Sequence, residues 1–245
     1  MGTRREWFGE WFDSRYYHVL YKHRDFEEAR QFIDILTEYL KPGKNDQILD
    51  LACGKGRYSI YLNQKGYQVT GIDLSKESLE EARKAENDRL HFHIHDMRME
   101  FCACCFDYIF NMFTSFGYFE TKEENAQVVI AAAKALKSGG KMLIDFLNPY
   151  TVVHNLIPEE EKQIDGIKFY ITKTFSSDEY ILKDIEIEDN GRQYHFQERV
   201  KAIRRLEFME YFTRAGLKQL KIFGDYQLNE YMPEKSERMI FLLEK

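Results

Sequence analysis

The chain has 245 residues, 44% of them hydrophobic, enough to bury a large core in one domain, or in one domain with a small appendage. A net charge of -6 and a pI near 5.7 argue against a broad phosphate-binding surface, because non-specific nucleic-acid affinity comes largely from clustered Lys and Arg. No window approaches the roughly 18 apolar residues of a membrane span, so a cytoplasmic protein is expected.

Residues 1–24 form an aromatic arm carrying Trp7, Phe8, Trp11, Phe12, Tyr16, Tyr17, Tyr21 and Arg24. Ala29, Phe32, Ile33, Leu36 and Leu40 then recur at helical spacing until Pro42 and Gly43 stop them. Ile48, Leu49 and Leu51 read as a strand buried on both faces. It runs through Asp50 into Ala52-Cys53-Gly54-Lys55-Gly56, where Gly54 and Gly56 allow a tight turn and close approach of a ligand. Ser59 stands where a dinucleotide fingerprint has its third glycine, so the turn is less suited to a pyrophosphate. A helix with Tyr58, Tyr61 and Leu62 on one face follows, then a strand from Gln68 to Ile72 ending in Asp73. A carboxylate at Asp73 suits the two hydroxyls of a ribose, and one at Asp50, pointing into a glycine turn, suits a cationic amino group. Each also has a plainer reading, Asp73 as a helix N-terminal acid and Asp50 as a turn acid.

Ser75 caps a helix bearing Leu79 and Ala82, residues 90–95 form a third strand, and Asp107 to Asn111 a fourth. His91, His93 and His95 alternate along the third strand, share a face and are expected to pack against whatever covers it. Cys102, Cys104 and Cys105 make a poor disulfide framework and a poor zinc spacing, so reduced thiols and no metal are expected. Thr121 and Glu124 form a capping box for a helix that Ser138-Gly139-Gly140 ends, and Met142 to Phe146 is a fifth strand. Strands alternating with helices imply an α/β fold with a parallel sheet and ligands at the strands' carboxyl ends.

Between residues 164 and 203 the apolar period changes to two, with turns at Ser176-Ser177-Asp178 and Asp189-Asn190-Gly191. This predicts an antiparallel three-stranded insertion after the fifth strand. Leu206, Met209, Phe212 and Ala215 restore a helix that Gly216 ends, and Leu217 to Phe223 and Arg238 to Leu243 supply closing strands.

The run Leu49-Asp50-Leu51-Ala52-Cys53-Gly54-Lys55-Gly56-Arg57, followed by Val69-Thr70-Gly71-Ile72-Asp73-Leu74-Ser75, resembles the class I S-adenosylmethionine-dependent methyltransferases. His95-Asp96-Met97, Phe106-Asp107-Tyr108-Ile109 and Leu136-Lys137-Ser138-Gly139-Gly140-Lys141 continue the likeness. The resemblance implies a Rossmann-like, seven-stranded, mostly parallel sheet with an antiparallel final hairpin, one methyltransferase domain over residues 1–245, and S-adenosyl-L-methionine as cofactor. It places Gly54 and Gly56 at the cofactor's methionine part, Asp73 and Leu74 at the ribose and adenine edge, and Asp96 and Met97 at the adenine, with Asp50, Ala52 and Cys53 also among the cofactor-binding residues. Asn111 and Met112 would face the sulfur, with Phe113, Phe116 and Tyr118 toward the acceptor, although such aromatics are more often core than a substrate box. No catalytic residue is assigned, since an activated methyl needs alignment more than a base. Asn148-Pro149-Tyr150 looks like the signature of amino-methylating DNA and protein enzymes, but it follows the fifth strand rather than the fourth, and that role is not carried over.

Phe113 to Tyr118, the arm and the insertion look like small-molecule methyltransferases, including glycine and amino-sugar N-methylating enzymes. A small-molecule acceptor is therefore expected, with no nucleic acid or membrane partner; the alternatives are action on tRNA or protein, a dinucleotide-binding oxidoreductase, or a non-catalytic nucleotide module. The arm is expected to lie over the site as a lid, bringing Tyr17, Tyr21 or Arg24 to the cofactor's carboxylate. Its alternatives are a structural arm packed elsewhere or a contact in a homodimer.

Overall fold

The computed structural model describes residues 7–22 and 26–245. Arg24 lies outside the described residues. Two short helices, α1 (Trp7–Phe12) and α2 (Arg15–Leu20), come first among the described residues, the second capped by Ser14, whose hydroxyl accepts from Tyr17 N. Helix α3 (Phe26–Leu40) leads into β1 (Gln47–Leu51), α4 (Arg57–Gln64), β2 (Gln68–Asp73), α5 (Lys76–Ala82), β3 (Leu90–Ile94) and β4 (Phe106–Asn111). Helix α6 (Lys122–Ala135) has the Thr121/Glu124 capping box in both directions.

Helix α6 ends at Ala135, earlier than the Ser138-Gly139-Gly140 stop expected, because Leu136 is already extended and joins β5 (Leu136–Leu147). After β5 come α7 (Pro149–His154), β6 (Glu159–Ile164), β7 (Ile167–Phe175), β8 (Tyr180–Asp189), β9 (Arg192–Lys201), α8 (Arg205–Ala215), β10 (Lys218–Phe223) and β11 (Arg238–Glu244). Asn148 caps α7 with Pro149 in its first turn, and its amide donates to Pro233 O and Ser236 O. Asn148-Pro149-Tyr150 is thus a helix start.

The main sheet runs β10-β11-β5-β4-β1-β2-β3, with β1 to β5 parallel and β11 antiparallel to both β5 and β10. Apolar clusters fill both of its faces, one built around Ile109, Ile144, Phe146 and Phe208 and the other around Ile33, Leu36, Phe110 and Ile240. The order in which strands are laid down reverses between β1 and β4, which opens the crevice at the carboxyl ends where such sheets bind ligands.

The second sheet has four strands, β6-β7-β8-β9, where three were expected. The extra strand, Glu-Glu-Glu-Lys-Gln-Ile, is a half-exposed edge without apolar alternation, and its pairing with β7 supplies the order that its side chains do not advertise. Ile167, Phe169, Ile171, Ile185 and Ile187 face one side of this sheet and bury Trp11, Tyr16 and Leu20 of the arm, so the arm is part of a third core.

Two further expectations change. Cys102 and Cys105 form a disulfide, since the loop brings their Cα atoms to 6.2 Å, while Cys53 and Cys104 are free. His91 and His93 are exposed, because β3 is the sheet's edge, and among the described residues the Phe101 ring packs beside His93 and His95.

Candidate active site

The turn after β1 is built by unusual backbone. Ala52, Gly54 and Gly56 have φ of 63°, 54° and 75°, in the left-handed region that Gly tolerates best. Gly56 N donates to Cys53 O at 2.9 Å, closing the turn onto α4. A Cβ at Gly56 would strike the Phe92 ring at 2.7 Å, whereas one at Gly54 would meet nothing within 4 Å. Gly56 is therefore required by packing, and Gly54 leaves open space over the strand ends.

Asp73 fastens this turn to β2. Its Oδ2 accepts from Gly54 N at 2.7 Å and its Oδ1 from Ser75 N at 2.8 Å. Burial raises its pKa, opposed by these backbone donors. The carboxylate keeps lone-pair capacity for a ligand hydroxyl beyond these backbone donors.

A cavity of about 420 Å³ lies over this cradle. Its walls come from the carboxyl ends of five parallel strands: Ala52 and Gly54 after β1, Asp73, Leu74 and Ser75 after β2, His95 and Met97 after β3, Phe113 to Ser115 after β4, and Leu147 of β5. Tyr118 and Phe119 add aromatic surface, the arm contributes Phe8, Phe12, Asp13, Tyr17 and Tyr21, the second sheet Glu198 and Val200, and β11 Arg238. Phe8 packs edge-on against Phe119 at 6.0 Å and Phe12 against Tyr118 at 5.4 Å, so the arm closes one side of the cavity.

Several residues expected at the cofactor lie behind this wall. Asp50 is buried beneath the turn, accepting from Ser59 Oγ at 2.5 Å, and burial pushes its pKa up to about 6. Cys53 and Gly56 pack inward against the Phe92 side of the core. Asp96 pairs with Arg98, whose Nη2 lies 2.7 Å from it and whose Nη1 reaches Glu124 at 2.9 Å. Burial would raise Asp96, but Arg98 outweighs it and holds the carboxyl below its ordinary value. Asn111 donates to Leu51 O at 2.9 Å, Met112 is buried, and Phe116 is core, stacked among Phe146 and Phe208. Tyr21 faces the cavity, but its hydroxyl donates to Glu198 Oε1 at 2.6 Å.

The sequence reading missed Asp145, Arg238 and Glu198. Phe113 and Thr114 both have positive φ, 66° and 59°. They are held there by Asp145, whose Oδ2 accepts from Phe113 N at 2.8 Å and whose carbonyl accepts from Thr114 N at 3.0 Å. Arg238 bonds Asp145 Oδ1 through Nε at 2.8 Å and Thr114 Oγ1 through Nη2 at 2.8 Å, and the Tyr226 hydroxyl reaches Asp145 Oδ2 at 3.0 Å. A carboxylate inside the apolar run Met-Leu-Ile-Asp-Phe-Leu was the available signal for Asp145.

Residues 48–140 match the family model of the methyltransferase domain, the stretch that contains the glycine turn and Asp73. With this strand order and cradle, the protein is a class I S-adenosylmethionine-dependent methyltransferase, and S-adenosylmethionine is its cofactor. Its sequence is similar to the putative methyltransferase YqeM of Bacillus subtilis (strain 168), 28% identical over 238 residues and 94% of each chain. It is also similar to a dTDP-3-amino-3,4,6-trideoxy-alpha-D-glucopyranose N,N-dimethyltransferase of Streptomyces venezuelae, 30% identical over 118 residues and 48% of each chain. The fold matches the crystal structure of an S-adenosylmethionine-dependent methyltransferase from Clostridium acetobutylicum ATCC 824 at a TM-score of 0.78, with 20% identity and 94% of this chain and 95% of that one covered. No helix among the described residues is long and apolar enough to cross a membrane.

Proposed function

We propose that the protein moves the methyl group of S-adenosylmethionine onto a small-molecule acceptor held between the glycine turn and the second sheet. The observation that carries this reading is the shape of the cavity: about 420 Å³, closed on one side by the aromatic arm and on another by β9, in a chain of net charge -6. The Streptomyces venezuelae relative, named for methylating an amino-sugar nucleotide, supports it. In this reading residues 1–245 form one methyltransferase domain, residues 1–24 its arm, and residues 164–203 an insertion that helps to wall the acceptor.

S-adenosylmethionine supplies a sulfonium methyl already activated for transfer. Open space at Gly54 admits a ligand against the turn, Asp73 offers lone pairs to ribose hydroxyls, and Leu74 and Met97 give apolar contact to a base. Ala52 borders the same cradle and Tyr17 the arm side. Phe113, held by Asp145, and Tyr118 bound the acceptor's end, where they exclude water and fix the line of approach. Asp50, Cys53, Gly56, Asp96, Asn111 and Met112 then shape the cradle from behind.

Calorimetry should show binding of S-adenosylhomocysteine and none of NADH. Methyl-labelled S-adenosylmethionine, incubated with the protein and a cell extract, should put label into the small-molecule fraction. Label confined to protein or RNA would overturn the reading.

A further inference from the structure

Three carboxylates face the cavity among the described residues: Asp13, Asp73 and Glu198. Asp13 accepts from Ser75 Oγ at 2.5 Å, on the nucleoside side with Asp73. Glu198 stands apart, on β9 of the second sheet, beside Val200 and the arm. It is held by design of its surroundings. The Trp11 indole N–H donates to Oε1 at 2.7 Å, the Tyr21 hydroxyl donates to the same oxygen at 2.6 Å, and Lys183 Nζ lies 3.6 Å from Oε2. Lys183 sits behind the carboxylate and is not part of the cavity wall. The side chain is only 17% exposed, on a half-apolar wall with Phe8, Phe12, Tyr17 and Tyr118 nearby.

A carboxylate is expensive to bury unless it is hydrogen-bonded and paired, and the two hydrogen-bond donors, Trp11 and Tyr21, both fall on Oε1. Oε2 keeps lone-pair capacity beyond the Lys183 ion pair. The cation that faces the same cavity, Arg238, is already committed to Asp145 and Thr114. An incoming ammonium would therefore meet a fixed anion and a set of aromatic rings, the pairing that recognises protonated amines.

Resting on the small-molecule reading above, we propose that Glu198 anchors the acceptor, and that the acceptor atom is the nitrogen of an amine. An alcohol would need a base strong enough to draw off its proton, which a carboxylate is not; an amine needs its lone pair aimed and one proton removed. The nitrogen lone pair forms the new C–N bond as the methyl C–S bond breaks, and the C–S pair stays on sulfur. Before that attack the bound ammonium gives one proton to the Glu198 carboxylate or to water, which frees the lone pair, and the methylated product leaves as an ammonium.

The test uses the full chain saturated with S-adenosylhomocysteine, and benzylamine and benzyl alcohol as probes of one shape and different charge. Benzylamine should raise the wild-type melting midpoint by about 2 °C or more, and benzyl alcohol should not. Glu198→Gln, which keeps an oxygen for Trp11, should bind S-adenosylhomocysteine within about twofold of wild type and lose the benzylamine response. No benzylamine response in wild type, an equal response to the alcohol, or an undiminished response in the variant would each overturn the assignment. The labelling experiment separates this from the broader reading: label in small alcohols removes the amine assignment alone, whereas label only in protein or RNA removes the small-molecule reading as well.

Discussion

Arg238 and Asp145 form a buried ion pair, Nη2 to Oδ1 at 2.7 Å, that ties the last strand to the backbone at the end of β4. Asp145 is fully buried and also holds Phe113 N and the Tyr226 hydroxyl, so one carboxylate satisfies donors from three segments. Asp145→Asn leaves Arg238 with an uncompensated charge at a site that costs about 3–5 kcal/mol to break. The expected result is a large fall in the denaturation midpoint, partly recovered when Arg238→Met is added. A midpoint unchanged by the single variant would remove the pair from the account of how the Phe113–Thr114 backbone is held.

The two glycines of the turn should respond differently to a methyl group. Gly56→Ala drives a Cβ into Phe92, and its expected effect is a loss of stability of about 1–3 kcal/mol from overpacking. Gly54→Ala meets no neighbour and carries only the left-handed backbone cost of about 1–2 kcal/mol, but it fills the cradle. Its melting point should fall less than that of Gly56→Ala while its S-adenosylhomocysteine affinity falls at least tenfold, about 1.4 kcal/mol. Equal affinity in Gly54→Ala and wild type would place the ligand elsewhere.

Much of this site is legible in the sequence because backbone demands leave a residue signature. Gly54 and Gly56 mark a turn, and Asp73 after an apolar run marks a strand end, so the cradle follows from local pattern, whereas the seven-stranded arrangement comes only from the family resemblance. Glu198 has no such mark: it lies in Arg-Gln-Tyr-His-Phe-Gln-Glu-Arg-Val-Lys, one charge among several on a half-exposed strand, and its partners Trp11, Tyr21 and Lys183 all come from other elements of the fold. Asp50 misleads for the opposite reason. Its position in the chain is that of a ligand-facing acid, but Ser59, the residue that replaces a glycine, supplies a hydroxyl that bonds it inside the core.

Asp50 also gives a pH dependence whose sign is fixed by burial. Its pKa is raised from 3.8 to about 6 by burial, with Asp73 adding to the rise and Ser59 opposing it. The folded state therefore holds the proton more tightly than the unfolded one, so this contribution to stability is full below about pH 3.8 and is lost as pH rises through about 6. Asp50→Asn should flatten that part of the stability profile, as followed by urea midpoints across the window. A profile identical to wild type would show that Asp50 titrates normally.

His18 works in the other direction. Burial, with Lys55 adding to it, lowers its pKa from 6.5 to about 4, so the folded chain binds the proton less tightly than the unfolded one. Its contribution is present above about pH 6.5 and is lost as pH falls through about 4. Because His18 lies in α2, His18→Gln should flatten the acid-side dependence, and tryptophan fluorescence should report it, Trp7 and Trp11 being the only tryptophans of the chain. Fluorescence that changes with acid equally in both proteins would assign the effect to other groups.

The arm was expected to behave as a lid, and its packing sets what can be removed from it. Trp11, Tyr16 and Leu20 cover Ile167, Phe169, Ile171, Ile185 and Ile187, so a chain starting at Asp25 would expose that whole apolar face and lose stability along with any closure. Smaller changes separate the two effects. Trp11→Ala removes a fully buried ring and a bond to Glu198, for an expected loss of about 3–5 kcal/mol. Tyr21→Phe keeps the ring in the cavity wall and deletes only the hydroxyl bonded to Glu198, for about 1.5–3 kcal/mol. If the arm closes over the ligand, S-adenosylhomocysteine should slow its cleavage by protease in wild type, and Tyr21→Phe should cleave faster and be protected less, while the rest of the chain stays resistant. Equal cleavage with and without S-adenosylhomocysteine in both proteins would leave the arm as a fixed wall of the third core, with no part in closing the site.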